Sequence, residues 1–140
     1  MPFLVLGEAL VDLICEQPAD GLADANAFVP HFGGAAANVA VSAARAGAEV
    51  GLAGGAGDDP WGRWLLERLR AEGVDTRAFT LAPGRETPIA FATVTAQGEP
   101  SFAIYGEGTG WDPAHPGARD ALAAAAEAGA RATETWGATA

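Results

Sequence analysis

The sequence predicts an α/β fold, with a parallel-sheet core flanked by helices and a small antiparallel sheet beside it. Two observations support this prediction. Short apolar runs alternate with helical patterns from residue 3 to residue 73, the order expected of parallel strands joined by right-handed crossovers. A two-residue alternation follows between residues 89 and 104, which is typical of a hairpin with two distinct faces.

Apolar runs predict the strands. Residues 3–6 are a short apolar run, and residues 49–54 are apolar or small after Glu49, as buried strands of a parallel sheet are. Residues 10–15 continue in an extended conformation or bend. Residues 28–32 alternate apolar and other side chains, which indicates a strand with one exposed face.

Helix signals follow two of these strands. Residues 35–46 predict a helix made largely of Ala and Val, with Gly47 as its stop. Asp59 is a natural N-cap and Pro60 suits the first helical position of a second helix, which ends at Gly73. Apolar residues recur there at helical spacing and predict a core-facing stripe: Trp61, Trp64, Leu65 and Leu69.

Composition narrows the class of protein. A chain of 140 residues, 49% hydrophobic and 19% charged, is long enough for one globular domain. Its net charge of −10 argues against nucleic acid and against anionic membranes as partners. The lone Cys15 excludes an internal disulfide, and no Cys/His cluster has metal-ligand spacing. His31 and His115 are expected in surface or core roles. The N-terminus reads as neither signal peptide nor membrane span, so we expect a cytoplasmic protein.

A glycine-rich pattern carries the most specific signal. Gly33 and Gly34 run into a small-residue helix, and the next strand ends in a second glycine cluster. This spacing resembles the N-terminal signature of the pfkB-type (ribokinase-like) carbohydrate kinases. The segments 7–12, 57–63 and 72–76 are most similar to the fructokinase branch. The signature falls on Gly33, Gly34, Ala36, Asn38, Ala40, Gly47 and Gly57.

The resemblance implies an ATP- and Mg²⁺-dependent kinase that phosphorylates a sugar hydroxyl, with fructose as the expected sugar. Residues 1–105 would be the N-terminal part of its domain, including lid strands near 12–32 and 88–105. Residues 106–140 read as an atypical Ala/Gly-rich tail, either a truncation or shifted frame near residue 106, or a natural tail or linker. The chain would therefore be an incomplete ribokinase-like fold that lacks its C-terminal half.

Six residues are candidates for the sugar site. Asp12, at the mouth of the first strand, can accept hydrogen bonds from two vicinal hydroxyls, or it has a turn role. Gly33 and Gly34 suit a hinge, close approach to a ligand, or a tight turn. The resemblance favours the sugar as the partner of Asn38, with the neighbouring loop as the alternative. Two aromatic residues would wall the sugar's carbon face, although lid-core packing is equally open for the first: Phe91 and Tyr105.

No catalytic residue is assigned. Gly55–Asp58 spells the Gly-Ala-Gly-Asp of the family's catalytic motif, whose final Asp is the general base. The residues before it and its place in the chain match the end of the first signature, so Asp58 is expected to be structural. The base would lie in the missing half, and we expect negligible kinase activity from this chain alone.

Other classes of function stay open. The chain could be a non-catalytic sugar-binding or regulatory module, or part of a nucleoside kinase of the same family. A dinucleotide-dependent oxidoreductase is disfavoured, because neither glycine cluster has the required spacing. A homodimer through exposed lid strands is also expected, with Phe28, Phe32 and Ile89 available for the contact.

Overall fold

The protein is described by a computed structural model over residues 3–106. Seven strands, two α-helices and one short 3-10 turn (Leu22–Asp24) occur in this part of the chain. The strands are β1 (Phe3–Leu6), β2 (Leu10–Ile14), β3 (Val29–Gly33), β4 (Val50–Gly57), β5 (Phe79–Ala82), β6 (Ile89–Val94) and β7 (Pro100–Tyr105). The helices are α1 (Ala35–Arg45) and α2 (Pro60–Ala71).

The core sheet consists of β1, β4 and β5, in the order β1-β4-β5. Both pairings are parallel, with Phe3 opposite Val50 and Gly54 opposite Phe79. The predicted parallel core is thereby confirmed. The sequence did not indicate β5, because Thr80 interrupts its short apolar run.

Both helices pack on one face of the core sheet. Leu52 of β4 and Leu65 and Leu69 of α2 are fully buried in the same cluster as the small residues of α1. At the surface, Arg45 of α1 and Glu72 after α2 form a two-pronged ion pair. Burial of a leucine side chain contributes about 1.5–3 kcal/mol, so this cluster is the main source of stability.

The helix ends follow the predicted signals. Gly47 and Gly73 adopt positive φ angles of 87° and 82° just beyond the two helices, a conformation that favours glycine. Asp59 caps α2, accepting a hydrogen bond of 2.8 Å from the Gly62 amide, and Pro60 begins the helix. The predicted tryptophan stripe also holds, since Trp61 and Trp64 pack against the core cluster.

The lid sheet consists of β3, β2, β6 and β7, in the order β3-β2-β6-β7. The sequence had indicated an antiparallel sheet, but this sheet is mixed. The outer pairs β2–β3 and β6–β7 are antiparallel, whereas the central pair β2–β6 is parallel. The reason is topological: the core elements lie between β2 and β6 in the chain, so the two hairpins meet along strands that run in the same direction.

The two faces of the lid sheet have different surroundings. We call them the helix face, which carries Val11, Leu13, Phe32 and Ile89 packed against the core cluster, and the Asp12 face. Phe32 and Ile89, which were expected to be available for a dimer contact, pack against this cluster and are only partly exposed. Phe102 and Ile104, each 65% exposed, are on the Asp12 face.

Over residues 3–106, no helix combines the length and the apolar character that crossing a membrane requires. The predicted Ala/Gly-rich tail lies outside the described residues apart from Gly106.

Candidate functional site

Asp12 lies in the middle of β2, at the centre of the Asp12 face. The register places it opposite His31 of β3 and Ala90 of β6. Its side chain is partly buried and forms no hydrogen bond to another described residue. A partly buried carboxylate without a partner retains its full capacity to accept hydrogen bonds from a ligand.

Burial dominates the electrostatics of Asp12. It raises the pKa of this carboxyl above its ordinary value, because removal from water disfavours the charged form. The nearby His31 partly opposes that shift. A carboxylate held at this cost to folding is typical of a functional group rather than of a structural one.

Gly33 and Gly34 form the passage from the lid to α1. A Cβ at residue 33 would overlap the carboxylate of Asp12, so the absence of a side chain makes room for that group. Gly34 has a φ of 96°, and a Cβ there would approach the Glu8 carbonyl oxygen to 2.6 Å. Gly33 is therefore required for the room it leaves to Asp12, whereas Gly34 is required by its backbone conformation and by the close approach of Glu8.

His31 is a member of this face that the sequence analysis assigned to a surface or core role. Its ring lies on the same side of the sheet as Asp12, and its Nε2 atom is 3.4 Å from Glu16 Oε1 without hydrogen-bond geometry. The sequence does contain a signal that places His31 on this face: it is two residues from Gly33, and residues two apart on a strand share a face.

On the β6 side of Asp12, the residues in register are Ala90 and, one strand further, Ile104. Ala90 is buried and Ile104 is largely exposed. A ligand bound to the Asp12 carboxylate would therefore meet a small, apolar floor and an aliphatic side chain at its rim.

Phe91 and Tyr105 lie on the opposite face of the lid. They pack edge to face with ring centroids 5.5 Å apart, and Phe28 packs on Phe91 at 5.1 Å. Together with Leu22 these rings line an apolar cleft of about 400 Å³. The structure thus brings the two predicted aromatic residues together, but it separates them from Asp12 by the thickness of the sheet.

Asn38 lies on the exposed side of α1, one turn after the glycine pair. It lines a polar cleft of about 410 Å³ between α1, α2 and β3. The other lining residues are Pro30, His31, Phe32, Val41, Ser42, Arg45, Trp64, Arg68 and Glu72. Asp12 is not part of this lining, but His31, which is in register with Asp12, is.

The Gly55–Asp58 segment does not form a phosphate cradle. The amide of Gly57 donates to the Thr87 hydroxyl, and the amide of Gly62, in the first turn of α2, donates to the Asp59 carboxylate. Asp58 is exposed and pairs with Arg63 at 2.6 Å. The donors that an anion would need are engaged by protein groups, which supports the structural role expected for Asp58. Residues 3–106 also contain no cluster of acidic, His and Cys side chains able to hold a metal ion.

Solved structures share this combination of a parallel core and a lid. A fructokinase from Halothermothrix orenii matches with a TM-score of 0.70 and 31% identity, over 75% of this chain and 37% of its own. A sugar kinase from Pyrococcus horikoshii, solved in complex with ATP, matches with a TM-score of 0.69 and 40% identity, over 74% of this chain and 33% of its own. The fold is therefore that of the ribokinase-like sugar kinases.

Sequence comparison identifies the family. The profile of the pfkB family carbohydrate kinases matches residues 3–132, which extends beyond the part on which the resemblance was recognised. Fructokinase-1 of Oryza sativa subsp. japonica is 42% identical over 99 residues, which are 71% of this chain and 31% of that protein. The chain belongs to the pfkB family of carbohydrate kinases. It spans about a third of the length of the curated relatives it matches.

Proposed function

We propose that this chain carries the sugar-binding face and lid of a fructokinase-like kinase, which transfers a phosphoryl group from ATP to a sugar hydroxyl. The observation that carries this proposal is the Asp12 carboxylate, partly buried, without a protein partner, and given room by Gly33. Vicinal hydroxyls can donate to the two oxygens of one carboxylate, and such charge-assisted bonds are the strong ones.

ATP and Mg²⁺ are assigned to the complete kinase and not to residues 3–106. This part of the chain has no acidic cluster for the metal, and the glycine amides next to α2 are already bonded. Phosphoryl transfer depends on positioning and on charge stabilisation of the moving group. We therefore expect this chain to bind sugar but not to turn over ATP.

Calorimetric titration of the 140-residue chain with fructose tests the proposal, with Asp12→Asn as the matched variant. We expect saturable binding by the wild type and binding weaker by ~10- to 100-fold in the variant, since hydrogen bonds to a charged group contribute about 1.5–3 kcal/mol. Equal affinity in the two proteins would exclude Asp12 as the sugar ligand. Fructose-dependent ATP hydrolysis by pure material would contradict the division of labour proposed above.

A non-catalytic sugar-binding or regulatory module is the second candidate. The absence of a phosphate cradle from residues 3–106 favours it. Adding ATP to the titration separates the two, because a sugar sensor binds equally well with and without nucleotide. A third titration with adenosine covers the nucleoside kinases of the family, and binding of adenosine in preference to fructose would favour that alternative.

Two further features are proposed for the complete protein. A homodimer through the lid would cover the exposed Phe102 and Ile104, since apolar side chains on an open sheet face are a common contact between copies. A cytoplasmic location remains a prediction from the sequence, and one relative is named as a chloroplastic fructokinase.

A further inference from the structure

A cluster of hydrogen bonds joins the core to the start of the lid, away from the sugar-binding face. The hydroxyl of Thr87 donates to Asp59 Oδ1 at 2.7 Å and accepts from the Gly57 amide at 3.1 Å. The Thr87 amide donates to Asp59 Oδ2 at 2.7 Å. One carboxylate and one hydroxyl therefore connect the end of β4, the start of α2 and the residues that lead into β6.

The cluster is tightly enclosed. Thr87 is only 3% exposed. A Cβ at Gly57 would come within 2.7 Å of the Thr87 amide nitrogen, and one at Gly62 would overlap the Gly57 carbonyl oxygen. Hydrogen bonds to a carboxylate are strong in such surroundings, and any group left without its partner there is costly. The chain at residue 87 is thus fastened to the core by buried polar contacts.

The other described passages between the two sheets are built differently. The passage from β3 to α1 contains Gly33 and Gly34, and the passage from β1 to β2 begins at Gly7, with a φ of 148°. Glycine passages change φ and ψ at little cost. Gly106, at the far end of β7, packs back on the same cluster, where a Cβ would lie 3.1 Å from the Thr87 carbonyl oxygen.

A direct path leads from the cluster to the proposed sugar site. Pro88, next to Thr87, accepts a hydrogen bond of 3.0 Å from the Val11 amide. Val11 is the neighbour of Asp12 in β2, and Asp12 is in register with Ala90 of β6. The position of residue 87 therefore determines where the central pair of lid strands, β2 and β6, begins relative to the core.

We propose that Thr87 and Asp59 are positioning residues that form the fixed point of the lid, about which the glycine passages allow movement. This inference rests on the proposed function for its effect on sugar binding, but its structural part can be tested without sugar. In a kinase that closes a lid over its substrate, a fixed point limits the orientations that the lid strands, and Asp12 with them, can adopt relative to the core.

The test uses the 140-residue protein and hydrogen exchange of single amides followed by NMR. Thr87→Val keeps the shape but removes both side-chain hydrogen bonds, and Thr87→Ser keeps the hydroxyl. Asp59→Asn keeps an oxygen to cap α2 but replaces an acceptor of the Thr87 amide by a donor. Thr93→Val is the matched control, because Thr93 is 1% exposed, lies in the same lid sheet, and its hydroxyl has no partner.

In Thr87→Val and Asp59→Asn we expect the lid amides of Val11 and Cys15 to exchange ~10-fold faster or more, and to be accelerated by a larger factor than the core amide of Leu52. Thr87→Ser should exchange like the wild type, as should Thr93→Val. Equal acceleration of lid and core amides would overturn the proposal, because the cluster would then serve only general stability. An unchanged Val11 amide in Thr87→Val would overturn it as well.

Fructose titration of the same variants tests whether the cluster of Thr87 and Asp59 affects sugar binding. We expect weaker binding by Thr87→Val, with recovery in Thr87→Ser. If the wild type binds no fructose but the exchange pattern is confined to the lid, the proposed sugar site is wrong and the fixed point stands. If the wild type binds fructose and Thr87→Val binds it equally well, the cluster does not position the sugar site and this inference is overturned.

Discussion

The carboxylate of Asp12 occupies the space that a side chain at residue 33 would need, and Gly33 leaves that space open. The two residues lie on neighbouring antiparallel strands, with Gly33 at the end of β3. The φ of Gly33 is not in the left-handed region, so its backbone can be adopted by any residue. The glycine is required here for the room it leaves and not for its backbone freedom.

Gly33→Ala should therefore weaken sugar binding while leaving the fold intact. A methyl group would push the Asp12 carboxylate out of place, and losing a well-formed bond to a charged group lowers affinity by ~10- to 100-fold. Calorimetry with fructose measures the affinity, and urea unfolding measures the stability. Gly21→Ala is the matched control, because its Cβ would meet only Asp24 Oδ2, at an ordinary 3.9 Å. Similar affinities for the two alanine variants would refute the steric argument.

Asp12→Asn should raise stability at neutral pH even though it impairs binding. Burial raises the pKa of this carboxyl, so folding favours its neutral form. The stability that this form contributes is fully present below pH 3.8, the ordinary pKa, and is lost as pH rises through the raised pKa. The asparagine variant should accordingly match the wild type in acid and exceed it at pH 7. Urea unfolding from pH 3 to pH 8 measures this difference, and a less stable variant at pH 7 would contradict it.

Asp59→Ala should show the opposite dependence on pH. Burial raises the pKa of Asp59, but hydrogen bonds from Gly62 and Thr87 outweigh that effect and hold it below its ordinary value. Its stabilising contribution is present above about pH 4 and is lost as pH falls through the lowered pKa. We expect a loss of about 1–3 kcal/mol at pH 7, from the cap and the unpaired Thr87 groups, which shrinks in acid.

Urea unfolding at pH 7 and pH 2.5 measures that loss, and Asp58→Ala provides the control. Asp58 precedes the cap but is exposed and bonded only to Arg63 at the surface, so its removal should change stability by less than about 0.5 kcal/mol. Equal losses in the two variants would mean that the Thr87 contacts of Asp59 do not stabilise the fold.

The sequence predicted most of the fold because its elements are marked by local signals. Asp59 and Pro60 mark the start of α2, and Gly47 marks the end of α1. The strand β5 lacks such a signal, since Thr80 interrupts its short apolar run. The mixed pairing of the lid was also out of reach, because the parallel contact between β2 and β6 joins segments far apart in the chain.

The candidate site was predicted in part for the same reason. Asp12 and Gly33 follow from a spaced motif. The hairpin alternation placed Phe91 and Ala90 on opposite faces, but only the register with β2 decides which of them shares the face of Asp12. Phe91 and Tyr105 were predicted for the site because of their residue type. The register instead places Ala90 and, next to it, Ile104 on the face of Asp12.

The exposed half of the Asp12 face leads to a last prediction, on self-association. Phe102 and Ile104 are each 65% exposed on neighbouring positions of β7, which is the edge strand of the lid sheet. Replacing both by Ser should leave the fold stable, since neither side chain belongs to the core cluster. If the lid pairs with a second copy, sedimentation equilibrium should show a wild-type dimer. The double variant should raise the dissociation constant of that dimer by ~10-fold or more, as expected when apolar area at an interface core is lost.

Phe3→Ser, at a residue 60% exposed on β1 of the core sheet, is the control for loss of an exposed aromatic ring. A monomeric wild type, or a dimer that only Phe3→Ser disrupts, would show that the lid is not the contact surface.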